Sequence, residues 1–484
     1  MILNSKAAAF VKEFIQKEQL PDVYAATVSR FFGRTAARIL AMVHGSDRPQ
    51  IVGINGAQGT GKSTVSACIA GLLAQQGLRV LVLSIDDLYL TRAQRERLAE
   101  KVHPLLKTRG VPGTHDMALG RQIIAAVRGE LNGAEVDVPR FDKASDDRCA
   151  QGTPFPAEGV DVLLFEGWCV GAKPQHKEAL GATCNALERD YDADVIWRTY
   201  VNDALAGVYA DVFAELDYLI MLKPPGFEAV YRWRGEQEEK LRRKLASEGL
   251  SKSCAMDEMQ LTRFISHYER LTRWMFEEMP IRADEVFLIN DDHQVMGEIR
   301  KNRRFEKIIV YTDLDAALVN DANQWEDARE ALEWLAKENA CVVLGSFKTV
   351  DEMRQISNAL IKECGLQKAP IVAENGQVVA LPDVDAANGY RLQYMTGAID
   401  TANGLQAALQ WCRQQNTSAI WRVIVVSGSP DNGAIQNAVD IAVVIPNPLH
   451  EQVPDPLALY GVYPQNHGPK GWNEAILEIL EDGI

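Results

Sequence analysis

This sequence lacks metal-binding cysteine spacing, a long apolar run and any excess of positive charge. Its eight cysteines (Cys68, Cys149, Cys169, Cys184, Cys254, Cys341, Cys364 and Cys412) include no C-x-x-C pair. The reading is therefore reduced core thiols, not zinc ligands or a disulfide framework. The first twenty residues carry charges every few positions. That pattern fits neither a secretory signal nor a membrane span, and the expected location is the cytoplasm. With 51 Lys+Arg against 66 Asp+Glu the net charge is −15. A general nucleic-acid or anionic-membrane surface is not expected, although a local basic pocket remains open. What is present is ordinary: 484 residues, 47% of them hydrophobic, enough for at least two cores.

Residues 1–45 read as two amphipathic helices broken near Pro21. From Gln50, short β-rich runs (51–54, 80–85, 160–165, 218–222, 286–289) alternate with helical stretches. Such alternation predicts an α/β fold, a parallel sheet with helices on both faces, over residues 46–292. Ligands then gather at the carboxyl ends of the strands. The polar stretch 293–306 is expected to be a linker. A second α/β alternation occupies 307–484, with strands at 308–312, 341–345, 370–373 and 422–426 between helices.

Directly after the strand at 51–54 stands Gly56-Ala57-Gln58-Gly59-Thr60-Gly61-Lys62-Ser63-Thr64, followed by a helical run. This is G-x-x-x-x-G-K-[ST] in the strand-then-helix context that gives the pattern meaning. Gly56, Gly59, Thr60, Gly61 and Thr64 belong to a backbone cradle whose N–H groups hold phosphates. Lys62 reaches the β- and γ-phosphates of ATP, and Ser63 offers a hydroxyl to Mg2+. The next strand ends in Asp86-Asp87, which act either as helix caps or as a base and a metal-positioning acid, with Asp86 placed first. The strand at 160–165 runs into Glu166, an acid placed to orient Mg2+ or the attacking hydroxyl, or else structural. Arg109 and Arg140 lie in Gly/Pro-punctuated loops and suit a carboxylate, with surface salt bridges as the alternative. Arg232 and Arg234 open a positively charged helix that reads as a lid over the phosphates or as a solvated face.

In this order, GAQGTGKST, SIDDLYL, RGVPGTHD, VPRFDKA, LLFEGW and YRWR resemble the plant-type D-glycerate 3-kinase family, over roughly residues 30–292. That family is related to the uridine kinase and phosphoribulokinase branch of P-loop kinases. The resemblance implies Mg2+-dependent transfer of the ATP γ-phosphate to D-glycerate, giving 3-phosphoglycerate. By position, Lys62, Asp86 and Glu166 are then catalytic. Asp87, Tyr89, Arg109, His115, Asp116, Arg140 and Lys143 surround the acceptor. Ser63, Asp86 and Glu166 serve the metal. Another small hydroxylated acceptor, a bifunctional kinase and phosphatase, or a nucleotide-dependent regulator are the alternatives.

The second alternation opens on Asp313-Leu314-Asp315, which resembles the first motif of haloacid dehalogenase-type phosphatases, in their mannosyl-3-phosphoglycerate phosphatase branch. The resemblance implies a Rossmann-like α/β domain in which Asp313, Asp315 and Asp431 serve a metal and Ser346 holds phosphate. Three features depart from the pattern. The glycine and threonine after the second Asp are missing, glycine stands at a metal-binding position before Asp431, and the usual late lysine is not found. The expectation is a degenerate phosphatase domain with a structural or regulatory role, or with weak phosphatase activity.

Overall fold

The computed structural model describes residues 2–131, 135–156, 159–247, 256–300, 306–383 (except 316 and 321), 386, 390–395, 401–415, 420–427, 441–445 and 460–481 (except 463). The chain forms two compact units: residues 48–302, and residues 1–47 together with 303–484. Among the described residues no helix is long and apolar enough to cross a membrane.

In the unit 48–302 the elements that matter are β1 (Gln50–Gly56), α1 (Lys62–Gln75), β2 (Val80–Ser84), α2 (Met117–Val127), β3 (Val162–Gly167), β4 (Tyr218–Lys223), α3 (Phe227–Ser247), α4 (Glu258–Arg282), β5 (Glu285–Ile289) and β6 (Val295–Arg300). They build a six-stranded sheet in the order β6-β5-β4-β1-β3-β2. β1 through β5 run parallel, and β6 returns antiparallel along β5. The central strand β1 is buried at all seven positions, as a strand covered on both faces must be. Its core includes Ile51, Leu83, Phe165, Met221 and Val286. Register aligns Ile54 and Ser84 with Glu166, so three strands end at one level. That level carries the site.

The sequence reading makes residues 293–306 a linker, and the structure corrects it. Residues 295–300 are the edge strand β6. Asn290 accepts from the backbone N–H groups of Asp292 and Gln294, turning the chain back on β5. The strand was hidden because its side chains are polar or half-exposed on a sheet edge, where hydrophobic alternation is weak.

The other unit carries a nine-stranded sheet in which Glu306–Asp313 lies between Ile420–Ser427 and Cys341–Gly345. It is mixed, not simply Rossmann-like: Ile2–Leu3 pairs antiparallel with Tyr460–Val462, and Val378–Pro382 pairs antiparallel with both its neighbours, Ile371–Ala373 and Tyr390–Tyr394. The N-terminal helix Ser5–Lys17 and the helical run 24–44 cluster with this unit. Helices Arg329–Lys337, Val350–Cys364, Thr401–Gln415 and Gly468–Glu481 complete it.

Candidate active site

The loop after β1 is shaped by backbone demands that only glycine meets well. Gly59 sits at φ +83°, and a Cβ there would stand 2.8 Å from Trp233 Cβ on α3. The contact docks α3 against the loop. Thr60 is buried and its hydroxyl donates to the Ala57 carbonyl at 2.8 Å, which closes the turn. Gly61 caps α1, whose first residues are Lys62, Ser63 and Thr64. Four amide N–H groups at that helix start have no partner within the helix and, with the helix dipole, favour an anion.

Two acids converge on this loop from neighbouring strand ends. Glu166, 5% exposed, accepts from the Ser63 hydroxyl through Oε1 at 3.1 Å. Its Oε2 is buried and has no partner among the described residues. Asp86 lies in a short 3-10 turn (Ile85–Leu88) capped by Ser84. It accepts from Tyr89 Oη at 3.0 Å and from Lys143 Nζ at 2.7 Å. Burial pushes its carboxyl up, but Lys143 and Lys62 outweigh burial and hold it down at about 2.

Three loops face these acids. Asp87 accepts from Arg140 Nη1 at 2.9 Å and from the Phe141 N–H at 3.1 Å, and so ties the loop at 138–143 to the end of β2. Arg109 pairs with Asp146 and lies over the Phe141 ring at 5.5 Å. Tyr89 and His115 stack at 4.5 Å, both buried. Burial presses His115 down to about 3 against the opposing pull of Asp86, so the imidazole is neutral at any working pH. Asp116 is used differently: its side chain caps α2 and pairs with Arg148 at 3.4 Å.

Arg232 and Arg234 do not converge on the acids. Arg232 pairs with Asp291, and Arg234 pairs with Glu238 and faces the Phe264 ring at 5.8 Å. The residue between them, Trp233, makes the contact with Gly59. Sequence reading missed Tyr209, Tyr268, Arg95 and Asp146. Arg95, 2% exposed, donates to the carbonyls of Leu90, Lys107 and Asp146 and so fastens these three loops together. No local pattern announces it; a charged residue in a polar helix looks like surface.

Gly110 supplies a stability prediction. It has φ +139°, and a Cβ would run into Tyr268 Oη, while its carbonyl accepts from Trp168 Nε1 at 2.9 Å. Gly110→Ala is expected to destabilise this unit by about 1–3 kcal/mol, the usual penalty of overpacking. Urea unfolding followed by tryptophan fluorescence measures it.

In the unit 1–47 with 303–484, Asp313 Oδ2 accepts from Ser427 Oγ at 2.5 Å, and Asp315 Oδ2 accepts from Ser346 Oγ at 2.5 Å. Lys348 Nζ pairs with Asp315 Oδ1. A lysine does therefore reach this cluster, from two residues after Ser346. Asp431 lies outside the described residues. Among the described residues no group of three or more His, Cys, Asp or Glu side chains is arranged to hold a metal ion.

No protein-family model matches the chain. A fission-yeast protein, the uncharacterized kinase mug58 of Schizosaccharomyces pombe, is 31% identical over 231 residues, which are 46% of this chain and 79% of that one. The chloroplastic D-glycerate 3-kinase of Arabidopsis thaliana is 28% identical over 256 residues, 51% of this chain and 53% of its own length. The match thus spans about half of the Arabidopsis protein. Among solved structures, a D-glycerate 3-kinase of Cryptococcus neoformans aligns with TM-score 0.46 at 24% identity, covering 56% of this chain and 99% of that one.

Proposed function

Because the chain belongs to the kinase family of its fission-yeast relative, glycerate-kinase-like in the broad sense, we propose that it phosphorylates a small hydroxy acid, D-glycerate first among the candidates, at the expense of ATP. The chain is a small-molecule kinase. The observation that carries the finer reading is the pair of acids at the phosphate loop: Glu166 on Ser63, and Asp86 held ionised by lysines.

The unpartnered Glu166 Oε2 beside a hydroxyl is the oxygen-only donor set that Mg2+ prefers, completed by phosphate oxygens and water. Ser63 and Glu166 would hold that ion, which neutralises charge on the β- and γ-phosphates when bound. The helix start and Lys62 bind the same phosphates. Asp86 accepts the proton of the attacking hydroxyl as the oxygen–phosphorus bond forms and the bond to the β-phosphate oxygen breaks. Phosphoryl transfer is loose, so proton removal comes late and a weakly basic carboxylate suffices. Lys143 must leave Asp86 for the hydroxyl to approach, and it is free to do so with 62% of its side chain exposed. Arg109 and Arg140 are the forks for the acceptor carboxylate. An acid with little apolar surface is held mainly by such charge-assisted bonds.

Incubation with ATP, Mg2+ and D-glycerate, with ADP followed enzymatically and the product identified by 31P and 13C NMR, tests this reading. Formation of 3-phosphoglycerate supports it. Glycerol, which lacks the carboxylate, is expected to have kcat/KM lower by about 10–10². Equal turnover of glycerol and D-glycerate would remove the arginine forks from the argument.

The other unit we read as haloacid dehalogenase-like in fold with a structural or regulatory role. Lys348 on Asp315 supports that role, since it occupies one of the acids expected to serve a metal.

A further inference from the structure

His115 is enclosed by groups that together determine which ring nitrogen carries its proton. Its Nδ1 lies 2.6 Å from Tyr209 Oη. The same Oη accepts the Gly113 N–H at 2.9 Å. Tyr209 is fully buried and stands just after a kink at Gly207, where the helical backbone is interrupted. The opposite ring nitrogen, Nε2, is buried without a partner among the described residues. Tyr89 covers one face of the imidazole and donates its own hydroxyl to Asp86.

A phenol has one proton to give. With the Gly113 N–H occupying one lone pair of Tyr209 Oη, the proton has His115 Nδ1 as its acceptor. The reverse arrangement, Nδ1–H donating to Oη, would leave two buried groups unsatisfied: the tyrosine proton and the Nε2 lone pair. The first leaves only the Nε2–H, and a buried donor waiting for a partner is what an acceptor oxygen would satisfy. We propose that Tyr209 is a positioning residue that fixes His115 as the Nε2–H tautomer, so that His115 serves the acceptor as a neutral hydrogen-bond donor next to Asp86 and not as a second base. The depressed basicity of His115 agrees with this division of labour. Its catalytic half rests on the kinase reading above; its tautomeric half does not.

The full chain labelled with 15N-histidine allows the tautomer to be read from two-bond 1H–15N correlations at neutral pH, with His115 assigned by its loss in His115→Gln. The expected pattern is a protonated Nε2 and a bare Nδ1. In Tyr209→Phe the pattern should shift toward Nδ1–H. There kcat should fall by about ten-fold, the worth of one lost hydrogen bond, while the KM for ATP stays unchanged. His115→Gln, which keeps an N–H near the Nε2 position, should retain more activity than His115→Asn. An Nδ1–H signature in the unsubstituted protein overturns the proposal without recourse to any variant. So does a Tyr209→Phe protein that keeps both tautomer and rate. If the tautomer is as expected but no hydroxy acid is phosphorylated, the acceptor reading fails and the geometry around Tyr209 stands.

Discussion

Asp86→Asn is expected to lower kcat by about 10²–10⁴, the usual worth of a positioned general base, while ATP affinity changes by less than a few fold. The asparagine keeps an oxygen for Tyr89 and nearly the same volume, so the loss reports proton acceptance and not shape. Rapid-quench kinetics with calorimetric titration of a non-hydrolysable ATP analogue separates the two effects. A large loss of nucleotide affinity, or a raised Mg2+ requirement, would move Asp86 from base to metal ligand. The carboxyl stands at about 2 in the folded protein against an ordinary 3.8. A depressed acid of this kind contributes stability that is complete above the unfolded value, near pH 4, and is lost as pH falls through about 2. In the free enzyme the base therefore stays ionised through mildly acidic pH, and kcat/KM should show no acid limb from Asp86 above pH 4. Lys143→Met removes its nearest cation and leaves burial less opposed, so the limb should move upward into the measurable range. Failure of the limb to move would mean that Lys143 is not what holds Asp86 ionised.

Strand ends were legible in the sequence, and what crosses between distant segments was not. The run at 51–54 is apolar throughout because β1 is covered on both faces, and the glycines after it answer to left-handed backbone at Gly59 and Gly61. Those are local requirements, so local sequence carries them. Asp86 and Glu166 were readable for a related reason: parallel strands end at one level, and an acid just past an apolar run lands there. Tyr209 and Tyr268 reach His115 and Gly110 from 94 and about 160 positions away, through helices whose own periodicity says only that one face is buried. Trp233 was flanked by the two arginines that drew attention, yet it is the residue that packs against Gly59 in the loop after β1. The usual late lysine is missing from the sequence pattern, yet a tight turn after the strand Cys341–Gly345 brings Lys348 to Asp315. Asp116 stands among residues with functional surroundings, but its side chain caps a helix and pairs with Arg148, neither of which local sequence announces.

Lys62→Met is expected to cost about 10²–10³ in kcat and to raise the KM for ATP, since in the proposed mechanism it is one of the fixed charges on the phosphates. Its effect should not stop at the nucleotide. Lys62 is also one of the two cations that hold Asp86 ionised against burial. Its removal should therefore shift the acid limb of kcat/KM upward in the same direction as Lys143→Met, at saturating ATP, where a binding defect no longer contributes. The two residues are then one electrostatic unit, and such units are not additive. In the double variant Lys62→Met with Asp86→Asn, the loss of rate should be smaller than the product of the single losses, because part of what Lys62 does is already void without a carboxylate to stabilise. Strictly multiplicative losses would show that Lys62 acts on the phosphates alone, and that the low proton affinity of Asp86 is set from the acceptor side by Lys143.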